Sequence, residues 1–219
     1  MTMPAFDPAS YGDCTAAFYD QLYPVVETGL VTTLAELAQG GPALDLGIGT
    51  GRVAVPLRRA GVPVVGIEAS SSMIAAFHSR PCTQGIPVIR GDFATDPLGD
   101  SPYRLIYALV STFFLLPTEL LQQACFHNVA RHLAPGGHFV SEAFLNDGSF
   151  PVPEVTEVPI TTPSGVFSYR VMTLSTPLVL IDEMACRSGL RLVERWSHWS
   201  RKPYQAGQPR HISVYAREG

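Results

Sequence analysis

The stretch ALDLGIGTGR, residues 43–52, decides the fold of this chain. It joins a short apolar run to a turn in which Gly47, Gly49 and Gly51 alternate with other residues. A short apolar run followed by glycines predicts a buried strand that ends in a tight turn. Glycines there let a ligand lie against backbone N–H groups with no Cβ in the way. The stretch therefore predicts a strand, a ligand-binding turn and a following helix.

Two phosphate-binding motifs do not fit this turn. Arg52 stands where a dinucleotide-binding fingerprint needs its third glycine, and Val53 and Ala54 stand where a P-loop needs Lys followed by Ser or Thr. Asp45 lies two residues before the first glycine, at the end of the predicted strand. Its carboxylate would repel a pyrophosphate but suits an ammonium group, so we expect a ligand with positive charge near the turn.

Short apolar runs alternate with segments of helical period along the first two thirds of the chain, and this order is typical of parallel strands joined by crossover helices. The predicted strands are residues 42–46, 62–67, 86–90, 103–109 and 137–143. The predicted helices are residues 50–60, residues 70–78 behind a serine cap, and residues 118–133 behind Thr118. The fold class is therefore α/β, with a Rossmann-like, doubly wound and mostly parallel sheet.

The pattern changes after Phe144, where prolines scattered between residues 151 and 163 predict an irregular or edge-strand stretch. A last helix is expected from Thr176 to near Gly189. Two alternating runs, residues 190–199 and 210–217, predict a C-terminal antiparallel hairpin on the sheet edge.

Composition indicates one globular domain of 219 residues, with 46% hydrophobic and 16% charged residues. No apolar stretch approaches the roughly 18 residues of a membrane span, and the N-terminus lacks the order of a secretory signal, so we expect a soluble, cytoplasmic protein. The four cysteines are widely spaced, which predicts reduced thiols and no metal site. A net charge of −4 without a basic run gives no reason to expect nucleic-acid binding, and a small-molecule substrate is the expected partner.

Two further acids follow the next predicted strands. Glu68 lies about where an acidic side chain holds the two hydroxyls of an adenosine ribose. Asp92, in RGDF, is placed to accept from an adenine amino group, and Phe93 to pack on the ring. The acids therefore predict a nucleoside with a cationic tail.

Four motifs in order, LDLGIGTGR, GIEASSSMI, IRGDF and HLAPGGHFVSEAF, resemble those of the class I S-adenosylmethionine-dependent methyltransferases. LVSTFFLL and the closing MACRSGLRLVERWSHW and HISVYAR are similar to a bacterial branch that modifies small molecules. The resemblance covers nearly the whole chain and implies S-adenosylmethionine as cofactor and S-adenosylhomocysteine as product.

The resemblance also implies a set of cofactor contacts. Glycine-turn residues would surround the methionyl part, Glu68 would hold the ribose, and Val110 would offer backbone near the methionyl amine. Similar N-terminal segments fold over the cofactor, which makes two tyrosines lid candidates. The full predicted set is Tyr11, Tyr19, Asp45, Gly47, Ile48, Gly49, Gly51, Glu68, Ala69, Met73, Asp92, Phe93 and Val110. For the tyrosines, ordinary packing of an amphipathic terminal helix is the alternative.

Substrate-side candidates are less specific. Glu142, at the end of the fifth strand, and His198 are candidate catalytic residues, and the candidate substrate contacts are Thr112, Phe113, Phe114, Trp199 and His211. The alternatives are a solvated strand-end acid, cross-strand surface histidines and phenylalanines that fill the core.

The resemblance further implies one domain, residues 1–219, with an N-terminal helical lid over residues 1–40 and a short substrate-side insertion over residues 145–175. The insertion is shorter than in the resembling branch, so either the substrate is large or a second subunit, in a homodimer, completes the pocket. Arg104 replaces an acid common in the fourth motif, at a strand start remote from the ligand.

The implied function is methyl transfer to an O or N nucleophile of a small molecule, in natural-product biosynthesis. One alternative is a cyclase or other non-methylating enzyme that binds the same cofactor, and another is a non-catalytic cofactor-binding partner protein. Only methyl transfer adds one methyl group to a product while releasing S-adenosylhomocysteine.

Overall fold

The computed structural model describes residues 6–99, 102–145, 153–163 and 165–217. The strands are β1 Ala43–Leu46, β2 Val64–Glu68, β3 Val88–Arg90, β4 Tyr103–Ala108, β5 Leu133–Phe144, β6 Glu154–Thr162, β7 Gly165–Thr173, β8 Leu190–His198, β9 Lys202–Pro203 and β10 Arg210–Arg217. The helices are α1 Ser10–Thr15, α2 Tyr19–Leu22, α3 Leu30–Ala38, α4 Ala54–Arg59, α5 Ser71–His78, α6 Glu119–His132 and α7 Leu178–Arg187. Two short 3-10 helices cover Pro81–Thr83 and Thr112–Leu115.

Eight strands form the main sheet in the order β3-β2-β1-β4-β5-β10-β8-β9. The first five are parallel, whereas β10 inserts antiparallel between β5 and β8. This confirms the predicted α/β fold with its C-terminal antiparallel hairpin. The chain runs outward from β1 in both directions, so the strand order reverses between β1 and β4, and ligands of such sheets bind at the carboxyl ends beside this reversal.

Two hydrophobic layers cover the sheet. Residues of α6 and α7, such as Phe126 and Ile181, pack on one face. Residues of α3 and α4, such as Leu34 and Leu57, pack on the other. Ile212 and Tyr215 of β10 lie on opposite faces of the sheet, one in each layer, because side chains alternate along a strand.

Helix starts follow the predicted caps where a hydroxyl is available. Ser70 Oγ accepts the Met73 N–H at 3.0 Å, and Thr118 Oγ1 accepts the Leu121 N–H at 3.2 Å, which confirms both caps. The helix predicted over residues 50–60 instead begins at Ala54. The glycine turn delays it, because Gly51 has a φ of 82° and left-handed backbone cannot continue a right-handed helix.

Irregular structure or an edge strand was predicted after Phe144, and the described part of this stretch forms edge strands. β6 and β7 pair antiparallel as a separate two-stranded sheet, with Pro159 opposite Ser168. Proline is tolerated because each strand of a two-stranded sheet is an edge strand. Within the predicted insertion, residues 146–152 and 164 lie outside the described residues, as do residues 1–5 of the predicted lid. No helix in the described ranges is long and apolar enough to span a membrane.

Candidate functional site

The glycine turn lies between β1 and α4 and is shaped by left-handed backbone. Gly47, Gly49 and Gly51 have φ values of 73°, 54° and 82°, which side chains disfavour. A Cβ on Gly47 would lie 2.9 Å from Cγ2 of Thr112, and one on Gly51 would lie 2.8 Å from the Phe77 ring. These glycines are therefore required by the turn and by its close neighbours.

Glu68 is the last residue of β2, and its carboxylate stabilises the glycine turn through hydrogen bonds. Its Oε2 accepts the Gly49 N–H and its Oε1 accepts the Ser70 N–H, both at 2.9 Å. Burial raises the pKa of Glu68, and the two N–H groups oppose that rise by stabilising the carboxylate. Each carboxylate oxygen retains a further lone pair, with which it can accept from a ligand hydroxyl.

Asp45 lies inside β1, paired in register with Gly66 and Tyr107 on the flanking strands. It is 6% exposed. Burial raises its pKa to about 7, and the Tyr107 hydroxyl and the Arg52 guanidinium lower it. The carboxyl thus changes charge near neutral pH, and a cation nearby would shift it toward the ionised form.

Helices α1 and α2, residues 10–22, form a lid over this turn. Asp13 of α1 accepts the Ser70 hydroxyl at 2.6 Å and the Ser72 N–H at 3.2 Å. Asp20 of α2 accepts the Thr50 hydroxyl at 2.6 Å and pairs with Arg80. Two acids therefore fasten the lid to both sides of the glycine turn.

The other side of the lid packs on β7. The Tyr11 and Tyr169 rings meet edge to face at 5.7 Å, and the Phe18 and Phe167 rings stack at 5.0 Å. The lid consequently lies between the glycine turn and the β6–β7 hairpin and contacts both.

Two adjoining cavities lie under the lid. The smaller, of about 50 Å³, is lined by Pro8, Tyr11, Gly12, Tyr19, Gly47, Gly49, Glu68, Ala69, Met73, Phe93, Thr112 and Leu115. The larger, of about 410 Å³, is lined by Phe6, Asp7, Pro8, Ser10, Tyr11, Asp92, Phe93, Leu115, Leu116, Val155, Arg170, Val171 and Met172. The two share Pro8, Tyr11, Phe93 and Leu115. A ligand in one cavity would therefore touch the walls of the other.

The structure brings most of the predicted cofactor residues together around these cavities. Both predicted lid tyrosines lie on the wall of the smaller cavity, together with Gly47, Gly49, Glu68, Ala69, Met73 and Phe93. Asp92 lies on the wall of the larger one. Ile48 packs against Gly66 in the core, and Val110 lies in the turn after β4.

Glu142 lies on β5 in a buried polar cluster, with 2% exposure. Its Oε1 accepts the Trp199 indole N–H at 3.2 Å and pairs with Arg210, and its Oε2 accepts the Val110 N–H at 3.2 Å. Glu27 also pairs with Arg210, at 2.7 Å. The alternative of a solvated strand-end acid is therefore wrong, since both oxygens of this carboxylate have partners within the chain.

The five predicted substrate residues fall into two groups: one lines a cavity, and the other four are buried. Thr112 lines the smaller cavity, whereas Phe113, Phe114, Trp199 and His211 are at most 2% exposed. The two phenylalanines belong to the core, as the alternative interpretation of their motif has it. These four side chains are packed within the protein and offer no surface to a substrate, which corrects the prediction that they contact one.

The two histidines of the hairpin also differ from each other. The His198 side chain is 52% exposed and lies 3.4 Å from a carboxylate oxygen of Glu27. His211 is fully buried, and burial lowers its pKa to about 3. It bonds Ser213 Oγ at 2.9 Å, so the expectation of a surface position is wrong for this residue.

Sequence reasoning missed the residues that fasten the site. Asp13 and Asp20 lie beside predicted lid residues, yet nothing in their spacing indicates their partners 57 and 30 residues away. Arg210 lies 68 residues from Glu142 in sequence. Only the fold brings these pairs together.

The family model and the curated relative that match this chain are both methyltransferases. A family model described as a methyltransferase domain matches residues 43–137. The chain is 30% identical over 135 residues to the cypemycin N-terminal methyltransferase of a Streptomyces species, a match that covers 60% of this chain and 55% of that relative. The chain thus spans about half the length of this curated relative.

Solved structures match over nearly the whole chain. The CcbJ methyltransferase from Streptomyces caelestis is 26% identical, with a TM-score of 0.83 and coverage of 98% of this chain and 100% of that one. CalS10, an amino pentose methyltransferase from Micromonospora echinaspora solved with S-adenosylmethionine bound, is 18% identical, with a TM-score of 0.70 and coverage of 91% and 96%. At 18% identity, the similarity to CalS10 shows a shared fold only.

Proposed function

We propose that the chain is an S-adenosylmethionine-dependent methyltransferase, which transfers a methyl group from this cofactor to an amine nitrogen of a small natural product. One observation carries the proposal. The cavity walled by the glycine turn and Glu68 adjoins a second cavity large enough for an acceptor, and both lie under one lid.

The residues around the smaller cavity fit the cofactor. Gly47 and Gly49 leave the backbone open to a ligand, and Glu68 retains lone pairs for ribose hydroxyls. We assign Asp45, which is buried in β1 and lines neither cavity, to the side of the methionyl ammonium, and Asp92 with Phe93 to adenine. A cavity of about 50 Å³ is far below the roughly 300 Å³ of a typical small-molecule site. The lid must therefore shift when the cofactor enters.

The larger cavity is the proposed acceptor pocket. Its wall is mostly apolar, and Asp7, Asp92 and Arg170 add charge. With Asp92 assigned to adenine, the carboxylate of Asp7 suits an acceptor that arrives as an ammonium ion, and Arg170 adds one positive charge that an acidic group of the acceptor would pair with. Pocket walls of this kind bury the body of a small molecule and fix its orientation through a few polar groups.

The bound cofactor would supply a sulfonium methyl, which an amine lone pair attacks in line as the bond from carbon to sulfur breaks. The chain's own task is to exclude water and to hold the nitrogen about 3 Å from the methyl carbon. An acceptor that arrives as an ammonium ion must first give up a proton to solvent, because only the neutral amine has a lone pair for the attack. Tyr11, Phe93 and Leu115, shared by both cavities, are the residues placed to align the two ligands.

The choice of nitrogen over oxygen is supported by the names of similar proteins. The curated relative is an N-terminal methyltransferase, CalS10 acts on an amino pentose, and a glycopeptide N-methyltransferase, MtfA, has a similar fold. Cytoplasmic localisation, the absence of nucleic-acid binding and a homodimer stay predictions from the sequence.

Product analysis tests the proposal. The purified chain is incubated with S-adenosylmethionine and a panel of amino sugars and short peptides, each paired with its hydroxyl analogue. We expect an amine to gain one methyl as S-adenosylhomocysteine appears in equal amount. Methylation of hydroxyl analogues alone would contradict the nitrogen assignment. A transformed product without an added methyl would support a non-methylating enzyme instead.

A further inference from the structure

The turn after β4 contains two consecutive left-handed residues that are not glycine. Val110 has a φ of 52° and Ser111 a φ of 63°. A β-branched residue is strongly disfavoured in this region, because its side chain crowds the backbone. Such conformations persist only where the surroundings enforce them, and they concentrate at functional sites.

The end of β5 enforces this turn. The Val110 N–H donates to Glu142 Oε2 at 3.2 Å, and the Ser111 N–H donates to the Glu142 main-chain oxygen at 2.9 Å. The Phe144 N–H donates to Ser111 Oγ at 3.0 Å. A single residue, Glu142, thus binds both backbone donors of the strained pair.

Glu142 is itself fixed in place. Its second oxygen, Oε1, accepts from Trp199 and pairs with Arg210, and Arg210 is held from its other side by Glu27. A buried carboxylate with donors on both oxygens is held in one orientation by its partners. That orientation directs Oε2 at the Val110 N–H.

The turn sets one wall of the cofactor cavity. Thr112 follows directly, and its Oγ1 donates to the Leu109 carbonyl at 2.7 Å. Its methyl group lies where a Cβ of Gly47 would come within 2.9 Å, and both residues line the smaller cavity. Thr112 can occupy this place only while Val110 and Ser111 keep their left-handed conformation.

We propose that Glu142 is a positioning residue, which holds the Val110–Ser111 turn so that Thr112 closes the cofactor cavity against Gly47. Glu142 was predicted from the sequence as a catalytic residue, and this assignment replaces that role. The inference rests on the proposed function for the identity of the ligand, whereas the order of the turn can be measured without it.

Two measurements on purified variants test the proposal. Affinity for S-adenosylhomocysteine is measured by calorimetry, and amide hydrogen exchange is followed in the segment 109–113. We expect Glu142→Gln to weaken affinity by about tenfold and to speed exchange of this segment. Glu142→Asp keeps the charge but shortens the side chain, so we expect the same result from it.

The decisive variant is Val110→Asn combined with Glu142→Gln. Asparagine adopts left-handed backbone far more readily than valine, so the double variant should recover most of the affinity and the slow exchange. If Glu142→Gln weakened binding only by lowering the stability of the protein, Val110→Asn would not restore the affinity. A double variant as weak as Glu142→Gln would overturn the proposal, as would normal affinity and exchange in both single variants.

Asp182→Asn is the matched control. Asp182 pairs with Arg195 and accepts the Tyr215 hydroxyl at 2.8 Å on the opposite face of the sheet. It should lower stability and leave both measurements unchanged, and an equal loss of affinity there would overturn the proposal. A wild-type chain that binds no S-adenosyl compound would contradict the proposed function, while the exchange data would still decide the role of Glu142.

Discussion

At the scale of single residues, the two buried acids of β1 and β2 differ in the groups that stabilise their carboxylates. Glu68 accepts two backbone N–H groups, which stabilise its carboxylate where it is buried. Asp45 is buried beside the Tyr107 hydroxyl and the partly buried Arg52, and burial raises its pKa to about 7. Asp45 therefore gains its negative charge as pH rises through neutrality.

This gives a pH dependence for cofactor binding. In the free protein Asp45 is mainly neutral below about pH 7 and ionised above it. A methionyl ammonium favours the ionised form, so binding releases a proton and affinity rises with pH. We expect S-adenosylmethionine to bind several-fold more tightly at about pH 7.5 than at about pH 6, measured by calorimetry in buffers of equal ionic strength.

Asp45→Asn is the control for this titration, because it removes the ionisable group and keeps the size of the side chain. Its affinity should be lower than that of wild type at the higher pH and nearly independent of pH. An unchanged slope in the variant would place the titrating group elsewhere.

At the scale of elements, the lid is held by acids whose partners are far apart in sequence. We expect Asp20→Asn, which loses its ion pair with Arg80, to raise the dissociation rate of S-adenosylhomocysteine by about three- to tenfold. The effect is moderate because both side chains are more than a third exposed. Stopped-flow fluorescence with a displacing ligand measures this rate.

Glu36→Gln provides the comparison, since Glu36 pairs with Arg201 at the surface, away from the lid helices. Its dissociation rate should equal that of wild type. If both variants release the ligand equally fast, or neither differs from wild type, the lid is not held through Asp20.

Helix starts were predicted correctly where one capping residue in the sequence determines them. Ser70 and Thr118 cap their helices as expected, because a hydroxyl at that position satisfies a free N–H of the first turn. The prediction failed for α4, whose start depends on the left-handed turn before it. For β6 and β7 the prolines predicted an edge position correctly but not the pairing of the two strands with each other.

At the scale of the whole molecule, the order of motifs predicted the sheet, and it brought most of the candidate cofactor residues to one edge of that sheet. Gly47, Glu68 and Phe93 follow successive parallel strands, whose ends must meet at one edge. The proposed acceptor side was not predictable in the same way. Its cavity is assembled from the lid, the β6–β7 hairpin and the segment after β4, and no sequence spacing relates these parts.

The same limit explains the corrected residues. The sequence places Phe113, Phe114 and His211 in segments next to the expected ligand-binding edge of the sheet. Whether their side chains reach a ligand or pack in the core depends on α6, α7 and the insertion of β10. Burial of His211 is a consequence of that insertion, since it places β10 between two strands.

Isothermal titration of the purified chain with S-adenosylmethionine, S-adenosylhomocysteine and NAD tests the central claim most directly. We predict binding of the first two at about micromolar concentration, no binding of NAD, and at least a tenfold loss in Glu68→Ala because a bidentate contact to the ribose is removed. Binding of NAD in preference to the S-adenosyl compounds, or full affinity in a folded Glu68→Ala variant, would contradict the account.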